Sequence, residues 1–183
     1  MQITTTRTTL CLINWSDLDA IHELHALPET DRFNALGIPE NTAVTKQVIA
    51  PWIAENQLPI IKNYTFAIEN KIDGAFIGLL GFKLGSEKYK RGEVWYKIHP
   101  DHWGNGYATE VLIAIINFGF ATLKLHRIEA GCAVENVGSI KVLEKAGMQR
   151  EGRHRKILPL KSGWSDSFAY AILESDEWLQ KEE

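Results

Sequence analysis

The segment Trp103-Gly104-Asn105-Gly106-Tyr107-Ala108-Thr109 is the part of this sequence best equipped for chemistry. Glycines immediately before a helix allow positive φ and let backbone N–H groups approach a ligand with no Cβ in the way. The helix that follows adds unpaired amides and a partial positive charge, so the turn is a candidate anion site, most naturally for phosphate. A plain turn also accounts for Gly104-Asn105-Gly106. The dinucleotide fingerprint G-x-G-x-x-G is met at Gly104 and Gly106 and missed at Thr109, with Glu129 near its expected acidic position. That unit begins beyond mid-chain, however, and too little sequence remains for the second half of a doubly wound domain. The phosphate-loop pattern fails because no Gly-Lys-Ser/Thr follows.

The elements that must hold this turn belong to an ordinary globular chain. Its 183 residues are 45% hydrophobic and 23% charged with a net charge of −3, which predicts one domain over residues 1–183 with a sizeable core. No stretch approaches the roughly 18 consecutive apolar residues of a membrane helix. Met1 to Arg7 lack the basic and apolar regions of a secretory signal, so the cytoplasm is the expected location. A pI near 6.1 gives no global attraction to nucleic acid or an anionic membrane. Cys11 and Cys132 form no CxxC pair, so neither a disulfide framework nor a metal site is expected, and Cys132 reads as a small core residue.

Along the chain, Arg7–Asn14 reads as a strand, then Ser16-Asp17 as the cap of a helix ending before Pro28. Thr42 can cap a second helix carrying Val44, Val48 and Ile53, which Pro51 is expected to break or kink. Tyr64–Glu69 and Ala75–Leu84 read as a hairpin, Ser86–Gly92 as a charged loop, and Glu93–His99 as an alternating strand. On that strand Val94, Tyr96 and Ile98 form an apolar face, with Glu93, Trp95, Lys97 and His99 on the other. Tyr107–Leu125 is the strongest helix pattern, followed by a strand His126–Val134 and a helix Asn136–Ala146 stopped by Gly147. Strands near Met148–Leu158 and Trp164–Leu173 flank a Lys161-Ser162-Gly163 turn, and Ser175–Gln180 reads as a terminal helix. The order β-α-α-β-β-β-α-β-α-β-β predicts a mixed central α/β sheet flanked by helices, parallel only in the units around the Tyr107 and Asn136 helices.

Three ordered motifs carry a resemblance. Trp103-Gly104-Asn105-Gly106-Tyr107-Ala108 resembles the Q/R-x-x-G-x-G/A motif of the GNAT N-acetyltransferases. Asn136 to Met148 is similar to that superfamily's N-x-x-S-x-x-V-L-E-K-x-G-F segment. Gly92-Glu93-Val94-Trp95-Tyr96-Lys97-Ile98 and the closing strand Trp164–Leu173 resemble the ribosomal-protein N-acetyltransferases of the RimJ/RimL type. Trp103 stands where many members carry Gln or Arg, and Met148 where an aromatic is usual.

The resemblance implies a single-domain GNAT fold and acetyl-CoA as cosubstrate, its pyrophosphate held by the segment Trp103, Gly104, Asn105, Gly106, Tyr107 and Ala108. It implies that strand Glu93–His99 splays from Arg127–Val134, so that backbone groups near Ile98 and His99 can bind pantetheine and the thioester oxygen. It further implies that Asn136 bonds the pantetheine amides, although Asn is also a preferred helix N-cap. An α-amine has a pKa of about 8, so a base gives moderate help. Glu93 is the first candidate, directly or through water, and reads equally as a solvent-facing strand carboxylate; His99 is a rival, and reads equally as a structural histidine beside Pro100. Ser139 or Tyr170 can protonate the departing thiolate, Tyr170 being equally a packed strand residue. Arg150, Arg153, His154, Arg155, Lys156 and Lys161 form a basic cluster that reads either as a solvated hairpin face or as a contact for the outer CoA phosphate or an acidic partner.

The function expected is therefore acetyl transfer to a primary amine by direct attack in a ternary complex, with a ribosomal or other protein N-terminus preferred. A small-molecule amine, a non-catalytic acyl-CoA sensor and an NAD-dependent oxidoreductase are the alternatives. No metal, nucleic acid or membrane is expected to take part, and the chain is expected to be a monomer or homodimer. Of the six tryptophans, Trp103, Trp95 and Trp164 lie in or near the motifs, whereas Trp15, Trp52 and Trp178 are assigned to packing.

Overall fold

A computed structural model describes residues 1–176. Trp178 and most of the helix expected over Ser175–Gln180 lie outside the described residues. Period-2 alternation builds one eight-stranded sheet in the order β1-β2-β3-β4-β5-β6-β8-β7. Its strands are β1 (Gln2–Thr4), β2 (Thr8–Leu12), β3 (Asn63–Asn70), β4 (Phe76–Leu84), β5 (Arg91–Ile98), β6 (Arg127–Ala133), β7 (Gln149–Leu160) and β8 (Gly163–Leu173). Among the described residues only β5 and β6 pair in parallel. A second parallel pair was expected around the Asn136 helix, but β8 inserts between β6 and β7 and pairs antiparallel with both. A two-residue link makes the β7–β8 hairpin far cheaper to close than a crossover. β7 is an edge strand whose register shifts twice against β8.

Helices cover both faces. α4 (Tyr107–Asn117) and α5 (Val137–Lys145) bury Val111, Leu112, Ile115, Ile116 and Leu143 against Phe66, Leu80, Phe82, Val94 and Ile128. α1 (Leu18–Ala26), followed by the short α2 (Pro28–Asp31), and α3 (Thr42–Asn56) lie on the other side, where Ile21 and Leu24 of α1 and Ile49 and Ile53 of α3 meet Ile13, Ala67 and Leu79 in a second, smaller cluster. Burying each of these aliphatic side chains contributes about 1.5–3 kcal/mol. No helix among the described residues is long and apolar enough to cross a membrane.

Several local expectations are corrected. Pro51 neither breaks nor ends α3; it is exposed, and Ile49 and Ile53 pin the turns on either side to the sheet. Asn41, not Thr42, caps that helix by accepting from the Val44 N–H. Asn14 and Asp17 form a capping box on the turn before α1, in place of a Ser16-Asp17 cap. Pro28 starts the short helix α2, as its fixed φ suits a first helical position. The helix expected through Leu125 is α-helical only to Asn117 and then widens into a π-turn over Phe118–Thr122. There Gly119 lets the chain approach Ile128, whose Cδ1 would lie 2.7 Å from any Cβ. Arg91 and Gly92 are strand rather than loop. Trp15, assigned to packing, is exposed with Lys46 over its ring.

His25 in α1 is 2% exposed and sits edge-on to Trp52, ring centroids 6.2 Å apart. Burial, helped by the charges of Lys97 and His22, lowers its pKa to about 4. An unfolded histidine titrates near 6.5, so between there and pH 4 the unfolded chain holds the extra proton and stability falls as pH drops. Thermal melts should therefore show a loss of roughly 2–3 kcal/mol from this group between pH 7 and 4.5. His25→Phe should flatten that part of the slope, and an unchanged slope would acquit His25.

Candidate active site

The two parallel strands stay together for only three residue pairs, Arg91↔Arg127, Gly92↔Ile128 and Glu93↔Glu129. Beyond Glu93 they part. β5 remains bonded to β4, and the His99 N–H donates to the Ile77 carbonyl. Because hydrogen-bonding direction alternates along an antiparallel pair, the backbone groups of Tyr96 and Ile98 then point the other way, into the gap toward β6. The Ile98 carbonyl accepts the Trp103 indole N–H at 2.8 Å, which leaves the Ile98 N–H and both groups of Tyr96 facing the fork. His99 is differently employed: besides its N–H, its carbonyl accepts from His102.

The glycine turn sits at the mouth of the fork. Gly104 and Gly106 hold φ of +75° and +80°, conformations that side chains other than glycine rarely adopt. The N–H groups of Asn105, Gly106, Tyr107 and Ala108 find no acceptor among the described residues, as expected of a helix N-terminus left for an anion. Trp103 contributes a brace rather than an amide, since its own N–H donates to Pro100 and its ring to Ile98. A clamp from the far edge of the sheet fixes the turn. Arg7 donates to the Asn105 carbonyl at 2.9 Å, lies over the Tyr107 ring, and binds Glu110 through both its backbone N–H and its guanidinium. Thr5 donates to the same carboxylate. Burial alone would raise the Glu110 pKa, but the bonds from Thr5 and Arg7 and the Arg7 charge outweigh it and hold the carboxyl low.

Across the fork, Asn136 caps α5 by accepting from the Ser139 N–H, and its amide NH2 makes no bond among the described residues. Both functions foreseen for Asn136 are thus sterically compatible. Ser139 Oγ lies 2.8 Å from the Tyr96 hydroxyl. Burial pushes the Tyr96 phenol above its ordinary range, the Ser139 bond countering only part of this. Cys132, beside Ser139, has its pKa raised to about 11 by burial, so its thiol is an inert packing group. Tyr170 is 1% exposed and donates to Glu144 at 3.2 Å, which places it in the packed core.

Glu93 is exposed at the point where the strands diverge and makes no hydrogen bond or ion pair among the described residues. Its neighbour Glu129 is paired with Arg127 and Arg91 instead. On the same face Trp95 packs 5.7 Å from Trp52 of α3, and Lys97 is buried. Next to them a cavity of about 360 Å³ opens between His25, the loop Leu36–Glu40 and Val44 and Val48 of α3. Within the basic cluster, Arg153 and Lys156 are committed to Asp166, whose carboxyl they hold low through the Lys156 N–H and the Arg153 guanidinium. Among the described residues no group of three or more His, Cys, Asp or Glu could hold a metal ion. The sequence reading missed Arg7 and Glu110, a pair joined over 103 residues, and it took Tyr96 for a plain apolar position.

Residues 7–149 match the family model described as an acetyltransferase (GNAT) domain. The chain is 31% identical over 180 residues to the uncharacterised N-acetyltransferase YnaD of Bacillus subtilis (strain 168), covering 97% of this chain and 99% of that protein. Its fold is similar to that of spermidine N-acetyltransferase from Vibrio cholerae in complex with CoA and spermine, with TM-score 0.80 and 23% identity over 92% of this chain and 96% of that one. Mycobacterium smegmatis RimJ in complex with CoA-disulfide superposes with TM-score 0.85 at 21% identity, over 95% of this chain and 88% of that one.

Two substitutions separate the parts of the glycine turn. Gly106→Val forces a β-branched residue to positive φ and drives its side chain at the Arg7 guanidinium, 3.5 Å from a Cβ there. CoA affinity should fall at least tenfold by calorimetry; unchanged affinity would refute the pyrophosphate assignment. Arg7→Ala should weaken CoA about tenfold yet leave kcat/KM with acetyl-pantetheine, which lacks the pyrophosphate, nearly unaltered. Equal loss with both donors would make Arg7 a general prop of the fold.

Proposed function

Because the chain belongs to the GNAT acetyltransferase family and is an acetyl-CoA-dependent N-acetyltransferase, we propose that its acceptor is a protein or peptide N-terminal α-amine, entering on the Glu93 face of β5 in the cytoplasm. The observation that carries this reading is the fork itself. It presents unpaired backbone groups of Tyr96 and Ile98 on one side of a gap, with the unpaired carboxylate of Glu93 at its root. The likeness to RimJ supports the fold of such an enzyme, while the likeness to a spermidine acetyltransferase keeps a small amine as the rival acceptor.

In this reading the amides of Asn105 to Ala108 hold the pyrophosphate, and the Asn136 NH2 holds a pantetheine carbonyl. The Ile98 N–H faces the thioester oxygen and stabilises the negative charge that develops on it during attack. Glu93 accepts a proton from the α-ammonium, directly or through one water, since only part of a group with pKa about 8 is neutral at pH 7. The neutral amine attacks the acetyl carbon in the ternary complex. As the C–S bond breaks, the attacking nitrogen gives up its remaining extra proton, and Ser139, hydrogen-bonded to Tyr96, passes a proton to the departing thiolate while regaining one from that source; with a thiol pKa of about 8.5 this assistance is modest.

A panel of amines read by mass spectrometry tests the acceptor. Peptides beginning with Ser or Ala should be acetylated at the N-terminus, and a clear preference for polyamines or aminoglycosides would overturn the reading. Glu93→Gln should keep CoA affinity and lower kcat/KM by roughly a hundredfold, mostly at lower pH where more of the amine is protonated. An unaltered pH–rate profile would remove Glu93 as the base.

A further inference from the structure

The sheet face that carries Glu93 holds a charge the mechanism above does not use. Lys97, four residues along β5, is only 7% exposed beneath α1 and α2. It makes no hydrogen bond or ion pair among the described residues, and its Nζ is not sealed from solvent. Asp31 of α2, itself 5% exposed, is the nearest compensating charge and does not reach ion-pair distance. The other titratable group whose charge couples to Lys97 is His25 of α1, and burial together with the Lys97 charge keeps it neutral; His22, on the same helix, acts on His25 and is bonded to Thr45. An aromatic row lies alongside, running from Trp95 to Trp52 to His25, with ring centroids 5.7 and 6.2 Å apart. Trp95 is pressed onto Gly81, where any Cβ would lie 2.1 Å from the indole.

Burying an ammonium costs several kcal/mol unless an anion meets it. Asp31 offsets part of this, yet burial still lowers the Lys97 pKa to about 8. The unpartnered ammonium therefore adds positive potential to a face already proposed to receive an amine. A second cation there is repelled at close range, and an anion completes the missing contact.

We propose that Lys97 is the specificity-determining residue of the acceptor site: it receives a carboxylate borne close to the reacting amine and excludes polycationic amines. The inference rests on the reading that the amine enters on the Glu93 face. It names the acceptor class more narrowly, as an α-amine followed by an acidic residue, and it sets this chain apart from a polyamine acetyltransferase despite the shared fold.

The test compares heptapeptides that begin with Ser and carry Asp, Ala or Lys at the second position, together with spermidine, on the full chain with acetyl-CoA. For the unmodified protein kcat/KM should fall from the Asp to the Lys peptide by about tenfold or more, with spermidine poorest. Lys97→Met, which keeps the apolar stem and should raise Tm, is expected to flatten the series, and Lys97→Glu to invert it. A flat series in the unmodified protein, spermidine as the best acceptor, or a series that survives Lys97→Met would each overturn the proposal. If no peptide is acetylated, the α-amine reading fails separately. The Lys97 assignment is then decided by tryptophan-fluorescence titration of the CoA-loaded protein with the Asp and Lys peptides. Tighter binding of the Asp peptide, lost in Lys97→Met, supports it, and equal binding in both proteins overturns it.

Discussion

Two parallel strands that stop hydrogen-bonding after three residue pairs leave backbone donors and acceptors with no partner, and a fold tolerates this only where something else will use them. Everything around the fork between β5 and β6 serves to hold it open without letting it collapse. β4 pairs with β5 through Ile98 and β8 pairs with β6 through Ala133, so each arm is anchored on its outer side well beyond the point where the two part. Gly92, at the root, has no Cβ, and Phe82 and Leu125 occupy the space that one would need. The arms diverge from a point fixed by packing.

The glycine turn depends on that frame in a less obvious way. Left-handed residues before a helix are soft, and the turn's own side chains offer only a long bond from the Asn105 amide to the Trp103 carbonyl. Stiffness arrives from the opposite edge of the sheet, where Arg7 and Thr5 converge on Glu110 in the first turn of α4. A carboxylate in the first turn of a helix also complements the macrodipole, so the clamp stabilises the helix while it orients the amides. From the other side the Trp103 indole ties the turn to Ile98. A tryptophan at this position thus replaces a charged or amide side chain with a single well-aimed donor, and the amides that follow do not depend on it.

Much of this was legible in the chain. The glycine turn, the alternation of β5, the Asn136 cap and the Gly147 stop are local signals, set by residues within a few positions of one another. In the structure the stop takes the form of paired bonds from Gly147 to Glu144 and from Met148 to Leu143. What escaped reading is non-local. Arg7 meets Glu110 because β2 crosses near the start of α4, and no spacing announces that. Alternation places Lys97 opposite the apolar face but says nothing of α1 and α2 covering it, so a buried cation reads as a surface one. Tyr96 looked apolar because every heavy atom of its side chain but the hydroxyl oxygen is carbon; only the fold brings that hydroxyl to Ser139. The insertion of β8 beside β6 was hidden for a related reason, since hairpin and crossover signals look alike until the partner strand is known.

The basic run on β7 acquires a meaning distinct from ligand binding. β7 ends the sheet, and an edge strand of twelve residues would offer its free amides and carbonyls as a template for another chain. Here Arg153 and Lys156 fold back onto Asp166, Lys156 itself turns left-handed at φ 48°, and the register slips twice. Arg155, exposed between them, adds a charge to this edge. The hairpin that completes the sheet therefore also terminates it, and protection against fibrous self-association is built into the segment that closes the fold.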